Sequence, residues 1–187
     1  TAETESWNGT NWTEVADLNS ARRLLDGAGA DNTNALAFGG YTSTNFNNTE
    51  TWNGSSWTEV NNLNTAKRNF RSAGASNTAA LCIGGYSTTN LSETESWNGT
   101  NWTEVGDLNA AFVNGGAAGT YTAAIAFGGA SPKSRTELWN GVAWSEQNDL
   151  STGRDNRIGG AGTTTAGLAF GGSVPPQTGA TEEWTVP

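Results

Sequence analysis

The chain has no histidine, no methionine, one cysteine and four prolines in 187 residues. Without His it lacks the commonest general base, the commonest metal ligand and any Ser–His or Cys–His pair. No catalytic residue, metal or cofactor is therefore expected. A lone Cys, Cys82, excludes an internal disulfide and leaves the redox compartment open. Without Met, Thr1 is no initiator residue, so the chain reads as a processed product or a fragment. Charged residues make up only 14 % of the chain, and the net charge is −9. Duplex nucleic acid demands a basic footprint, so neither nucleic acid nor an anionic membrane is an expected partner. No stretch approaches the roughly 18 apolar residues of a membrane-spanning helix, so membrane insertion is not expected, and no signal peptide is visible. Helix is also missing from the pattern: there is no sustained 3.6 periodicity, and Gly, Asn and Thr dominate.

What the chain does have is nine Trp and 25 Gly. A few large rings and many small residues can fill a core although hydrophobic residues reach only 35 %. The length allows one domain. Residues 4–15, TESWNGTNWTEV, recur letter for letter at 94–105. Chance does not produce that, so the chain is an array of copied units. T-E-x-W stands at Thr4–Trp7, Thr49–Trp52, Thr94–Trp97, Thr136–Trp139 and Thr181–Trp184, at periods of 45, 45, 42 and 45. A second Trp follows five residues later at Trp12, Trp57, Trp102 and Trp144. Next comes a D/N-L-N/S element: Asp17-Leu18-Asn19, Asn62-Leu63-Asn64, Asp107-Leu108-Asn109 and Asp149-Leu150-Ser151. Each unit closes with an apolar run ending at Gly39-Gly40, Gly84-Gly85, Gly128-Gly129 or Gly171-Gly172.

Each unit reads as four short strands: a Gly/Ala-rich strand, the apolar run, the T-E-x-W strand and the strand opened by the second Trp. Asn-Gly separates the last two at Asn8-Gly9, Asn53-Gly54, Asn98-Gly99 and Asn140-Gly141, which is the strongest short hairpin signal. Units of this kind repeating every 40–50 residues are the blades of a propeller, because one blade cannot bury both of its faces. The Gly-Gly run, the third-strand aromatic, the Trp opening the fourth strand and the basic residue before the next unit (Arg22, Lys67, Arg154) together resemble the kelch repeat. The chain departs from it in carrying a tight W-N-G-x-x-W hairpin, and Phe112 where the third basic residue belongs. The array is also similar to Trp-Asn-Gly arrays in phage tail and surface proteins. That likeness implies a structural protein on a virion or other extracellular surface. The copper centre of some kelch propellers needs His and is not carried over.

The expected fold is all-β: one small propeller of about four four-stranded blades spanning residues 1–187. Its units are 16–60, 61–105 and 106–147, with a closing blade made from 1–15 plus 148–187. Pairing the N- and C-terminal strands would close the ring. Third strands number five where the other strands number four, so one copy, Thr4–Trp7 or Thr181–Trp184, is surplus. It either lies idle or pairs with another chain's open edge.

A group that recurs in every unit reads as structural, since an active site needs unlike residues converging on one point. The nine Trp, Trp184 among them, and the four Gly-Gly pairs are assigned to packing and turning. Glu5, Glu50, Glu95, Glu137 and Glu182 are assigned to a solvated or hydrogen-bonded position on the outer strands. Cys82 aligns with Ala37, Ala126 and Ala169 and reads as a small buried residue. The sequons at Asn8, Asn11, Asn53 and Asn98 follow from an Asn- and Thr-rich composition. Function is sought where units differ, in the loops between second and third strands: 41–48, 86–92, 130–134 and 173–180. Seven of the nine basic residues lie in the segments between units (Arg22, Arg23, Lys67, Arg68, Arg71, Arg154, Arg157), on the same face. Either they pair with Asp17, Asp107, Asp149 and Asp155, or they serve a ligand. The candidate ligand-binding set is Tyr41, Phe46, Tyr86, Arg22, Arg68 and Arg154, with Pro175-Pro176 nearby. The expected role is a non-enzymatic structural or binding module taking a protein or glycan ligand. Self-assembly through the surplus strand, with copies of itself or other proteins of a particle, is the alternative. A glycan-active enzyme is the remaining possibility and would need a convergent carboxylate pair.

Overall fold

The computed structural model describes residues 1–174 and 179–185. Among them there are seventeen strands in five antiparallel sheets and no helix. The first two strands, β1 (Thr4–Trp7) and β2 (Trp12–Val15), form an isolated hairpin. Three four-stranded sheets follow in chain order. The first is β3 (Asp26–Asp31), β4 (Asn34–Phe38), β5 (Thr49–Trp52) and β6 (Trp57–Val60). The second is β7 (Arg71–Ser76), β8 (Ala79–Tyr86), β9 (Asn90–Trp97) and β10 (Trp102–Glu104). The third is β11 (Gly116–Thr120), β12 (Ala123–Phe127), β13 (Thr136–Trp139) and β14 (Trp144–Glu146). The fourth sheet has three strands, β15 (Gly159–Gly162), β16 (Ala166–Phe170) and β17 (Thr181–Thr185). The expected four-strand unit is thus complete three times, and halved or shortened at each end. Closure of the ring is not among the pairings: β1 and β2 pair only with each other, and β17 occupies the edge beside β16.

The Asn-Gly turns form as expected, through a mechanism the dipeptide alone did not indicate. Only Gly9 takes positive φ (94°), while the Asn8 side chain accepts the Thr10 and Asn11 N–H groups at 2.9 Å each. Asn53, Asn98 and Asn140 do the same in their units. This local bonding holds each Trp pair together across the hairpin, with ring centroids 5.4–5.5 Å apart and the planes tilted by 41–44° in all four copies.

The core lies between sheets. Leu36 and Phe38 of the first sheet pack on Ala80, Cys82, Trp97 and Trp102 of the second. Leu81 and Ile83 repeat this against Ala124, Ala126, Trp139 and Trp144 of the third, and Ile125 and Phe127 repeat it against Ala169 and Trp184 of the fourth. Each β-branched, Leu or Phe knob meets a floor of small residues walled by indoles, which is how a chain with little Leu fills a core. The Gly-Gly pairs permit the approach: Gly84 has φ of 63°, and a Cβ there would stand 2.2 Å from the Phe112 carbonyl oxygen.

Three backbone bonds tie the sheets in series. Asn69 N–H donates to Leu24 O at 3.2 Å, Asn114 to Asn69 O at 3.0 Å, and Arg157 to Asn114 O at 2.8 Å. All four residues have φ between 57° and 65°, a left-handed setting that Asn adopts more readily than Leu or Arg. The first strands lie side by side in this order. Asp26, Arg71, Ser72, Ala117 and Gly159, drawn from all four sheets, line one hollow of about 300 Å³.

Candidate functional site

The residue after each basic position bonds back to the residue after Gly-Gly. Arg23 and Tyr41 exchange two backbone bonds of 3.0 and 2.8 Å, and Arg68 and Tyr86 exchange two of the same lengths. This pairing stands the four side chains in a row. The Arg68 guanidinium lies 4.2 Å from the Tyr41 ring centroid and 4.7 Å from that of Tyr86, and Arg23 lies 5.6 Å from Tyr41. Asn45 fixes the row, accepting from Arg68 Nη1 at 2.8 Å and donating to Ser87 O at 2.9 Å. Tyr41, Arg68 and Tyr86 are half-buried and Arg23 is exposed. Units three and four carry Val113 with Ala130 and Asp155 with Ser173 at the corresponding places. The aromatic–cation row is therefore confined to the first two sheets. Such a row offers π faces and guanidinium donors to a planar or anionic group.

The rest of the candidate set lies elsewhere. Arg22 and Arg154 are buried. Arg22 pairs with Glu50 at 3.0 Å, Lys67 with Glu95 at 2.9 Å, and Arg154 with Glu182. The third-strand glutamates are the partners, not the Asp residues considered from sequence. Glu50, Glu95 and Glu137 are buried rather than solvated. Each is also bonded by the D/N-L-N/S element arriving from the preceding sheet. Asn19 N–H donates to Glu50 at 2.7 Å, Asn64 to Glu95 at 2.7 Å, Asn109 to Glu137 at 2.9 Å, and Ser151 to Glu182 at 2.6 Å. Burial works against the charge on Lys67, but the acidic groups beside it, Glu95 and Glu93 among them, outweigh it and hold the ammonium pKa above its ordinary value. Where Phe112 replaces the basic residue, Arg135 reaches Glu137 at 3.4 Å from the strand's own approach. Phe46 is half-buried, with the Arg22 guanidinium 6.0 Å from its ring.

Five of the nine Trp are buried between sheets: Trp52, Trp97, Trp102, Trp139 and Trp144. Trp57 and Trp184 are half-buried, and Trp7 and Trp12 are exposed. Cys82 is buried, and that burial pushes its thiol pKa up, which leaves it a poor nucleophile. The expected loop 86–92 is a tight turn, because β8 and β9 extend through it and pair Tyr86 with Asn90. Pro175 and Pro176 lie outside the described residues. Sequence reasoning put Arg23 among the basic residues of this face and Asn45 within the 41–48 loop, but left both out of the candidate ligand-binding set. Comparison with protein-family models and with curated proteins finds no match.

Proposed function

We propose that the sheets are the blades of a kelch-like β-propeller, and that the chain is a non-enzymatic binding module of a virion or cell surface taking a protein or glycan ligand on its loop face. The blade reading is supported by the serial bonds through Leu24, Asn69, Asn114 and Arg157 and by the shared hollow at the first strands. The ring would be completed where a β1–β2 hairpin joins the three-stranded sheet.

The observation that carries the binding reading is the stack of Arg68 between Tyr41 and Tyr86, present in two units and replaced in the others. In a repeat protein a feature that breaks the repeat serves something other than the repeat. The repeated third-strand carboxylates Glu50, Glu95, Glu137 and Glu182 each pair with a cation of their own unit, a structural use that supports a non-enzymatic role. A set of neutral and carboxylated oligosaccharides, titrated against the wild type and against Arg68→Ala with Tyr86→Ala, tests the glycan form of the reading. Binding is expected to fall at least tenfold in the double variant. Binding that survives these changes, or no binding to any member of the set, sinks that form.

A further inference from the structure

Between the third and fourth sheets lies a cavity of about 60 Å³. Its lining includes Phe127, Thr136, Leu168, Ala169 and Trp184. At the equivalent place between the first two sheets stands a fourth-strand Trp. Trp102 packs 4.8 Å from Phe38 and donates its indole N–H to Thr49 Oγ1 at 2.9 Å. Trp144 donates likewise to Thr94 Oγ1 at 2.9 Å. The repeat puts Phe127 where Phe38 stands and Thr136 where Thr49 stands. The fourth sheet has no fourth strand among the described residues, so none of their indoles takes the place beside Phe127 and Thr136 that Trp102 takes beside Phe38 and Thr49.

The matching plug is at the other end of the molecule. Trp12 is 63 % exposed, on a hairpin identical in sequence to residues 94–105. Its ring pair is already set: Trp7 and Trp12 lie 5.4 Å apart at 44°, Trp97 and Trp102 5.4 Å apart at 41°. The two ends do not cover each other within the chain. Leu168 and Phe170 are each 43 % exposed, although Leu36, Phe38, Leu81, Ile83, Ile125 and Phe127 in the same positions are buried. The chain's own hairpin is held on the first sheet, where Trp57 donates to Thr4 Oγ1 at 3.1 Å and Asn32 to Ser6 Oγ at 3.0 Å.

We propose that the β1–β2 hairpin of a second copy docks on the fourth sheet, seating Trp12 in this cavity with its indole N–H on Thr136 Oγ1. The proposal rests on the blade reading and adds the source of the missing strand. The hairpin brings its own third strand, so β17 gives way, and Glu5 takes the bonds that Glu182 makes to Ser151 and Arg154. The contact is head-to-tail, and copies linked this way close into a ring or extend as a filament.

Light scattering over a range of concentrations, with thermal melting of each variant, tests it. The wild type is expected at a multiple of 19.4 kDa. Trp12→Ala and Thr136→Val are each expected to weaken association at least tenfold without changing the melting of the dissociated chain. Mixing Trp12→Ala, which keeps the cavity, with Leu168→Asp, which keeps the hairpin, is expected to give dimers although each variant alone is monomeric. Association indifferent to Trp12 and Thr136 overturns the proposal. So does a monomer at every concentration, including one in which Trp12 is quenched by closure within its own chain. Thr49→Val tests the blade reading separately: it is expected to lower the melting temperature whether or not copies associate, and a neutral result would count against the blades rather than the docking.

Discussion

Residues 94–105 and 4–15 are one sequence in two surroundings. In the first, Trp97 and Trp102 are 1 % and 5 % exposed; in the second, Trp7 and Trp12 are 45 % and 63 % exposed. The hairpin geometry is nevertheless the same, down to the Asn side chain bonding two N–H groups in the turn. The turn and the ring pair are therefore local properties of twelve residues. The burial of those rings is a property of the neighbouring sheet. In a repeat array stability comes from such interfaces between units, so identical segments should contribute very different amounts.

The widest gap is expected at the second Trp. Trp102→Ala removes a buried indole, its contact with Phe38 and its bond to Thr49, and should cost about 3–5 kcal/mol. Trp12→Ala, at an exposed position of the dissociated chain, should fall within about 0.5 kcal/mol. Urea unfolding of both variants at low protein concentration makes the comparison. Equal losses would mean that Trp12 is covered in solution even without a partner.

A smaller gap is expected at the third-strand glutamates. Glu95→Gln leaves Lys67 buried, with only Glu93 at 3.5 Å as a charged partner, and breaking such a pair from one side should cost about 3 kcal/mol. Glu5→Gln, at an exposed site, should again be near neutral. A mild Glu95 effect would show that water or a shifted side chain satisfies the ammonium.

The strands, the Asn-Gly turns and the small Cys82 position were legible in the chain because they depend on near neighbours and on period. The pairing of Arg22, Lys67 and Arg154 with third-strand Glu was not. A charge repeated once per unit looks like surface, and the partners considered for it were Asp17, Asp107, Asp149 and Asp155. The signal that was available is compensation: the unit that has Phe112 in place of a cation carries Arg135 directly before its T-E. The Arg68 stack was half legible. Tyr41, Tyr86 and Arg68 were singled out as breaks in the repeat, but their meeting depends on the backbone pairing after Gly-Gly, which no local pattern announces. Closure of the ring is a long-range matter that hydrophobic periodicity cannot decide.

The narrowest contrast concerns acid. Glu182 is the least buried of the paired third-strand glutamates, with 22 % of its side chain exposed against 1 % for Glu95. Burial alone would raise its pKa, but the Ser151 N–H and hydroxyl and the Arg154 guanidinium outweigh it and hold the carboxyl below its ordinary value of 4.5. A carboxyl lowered in the folded state stabilises it at pH values above that ordinary value. The contribution is lost as pH falls through the lowered folded value. Strand β17 is tied to the preceding sheet by these bonds, so acidification below about pH 4.5 should loosen β17 before the interior sheets. The Trp184 indole resonance, whose N–H donates to Thr164 O at 3.0 Å, is expected to shift over that window while that of Trp97 stays put. Glu182→Gln, which cannot ionise, should flatten the Trp184 response. If both indoles moved together in wild type and variant alike, the end of the array would be as firmly held as its middle, and β17 would be no candidate for replacement by β1.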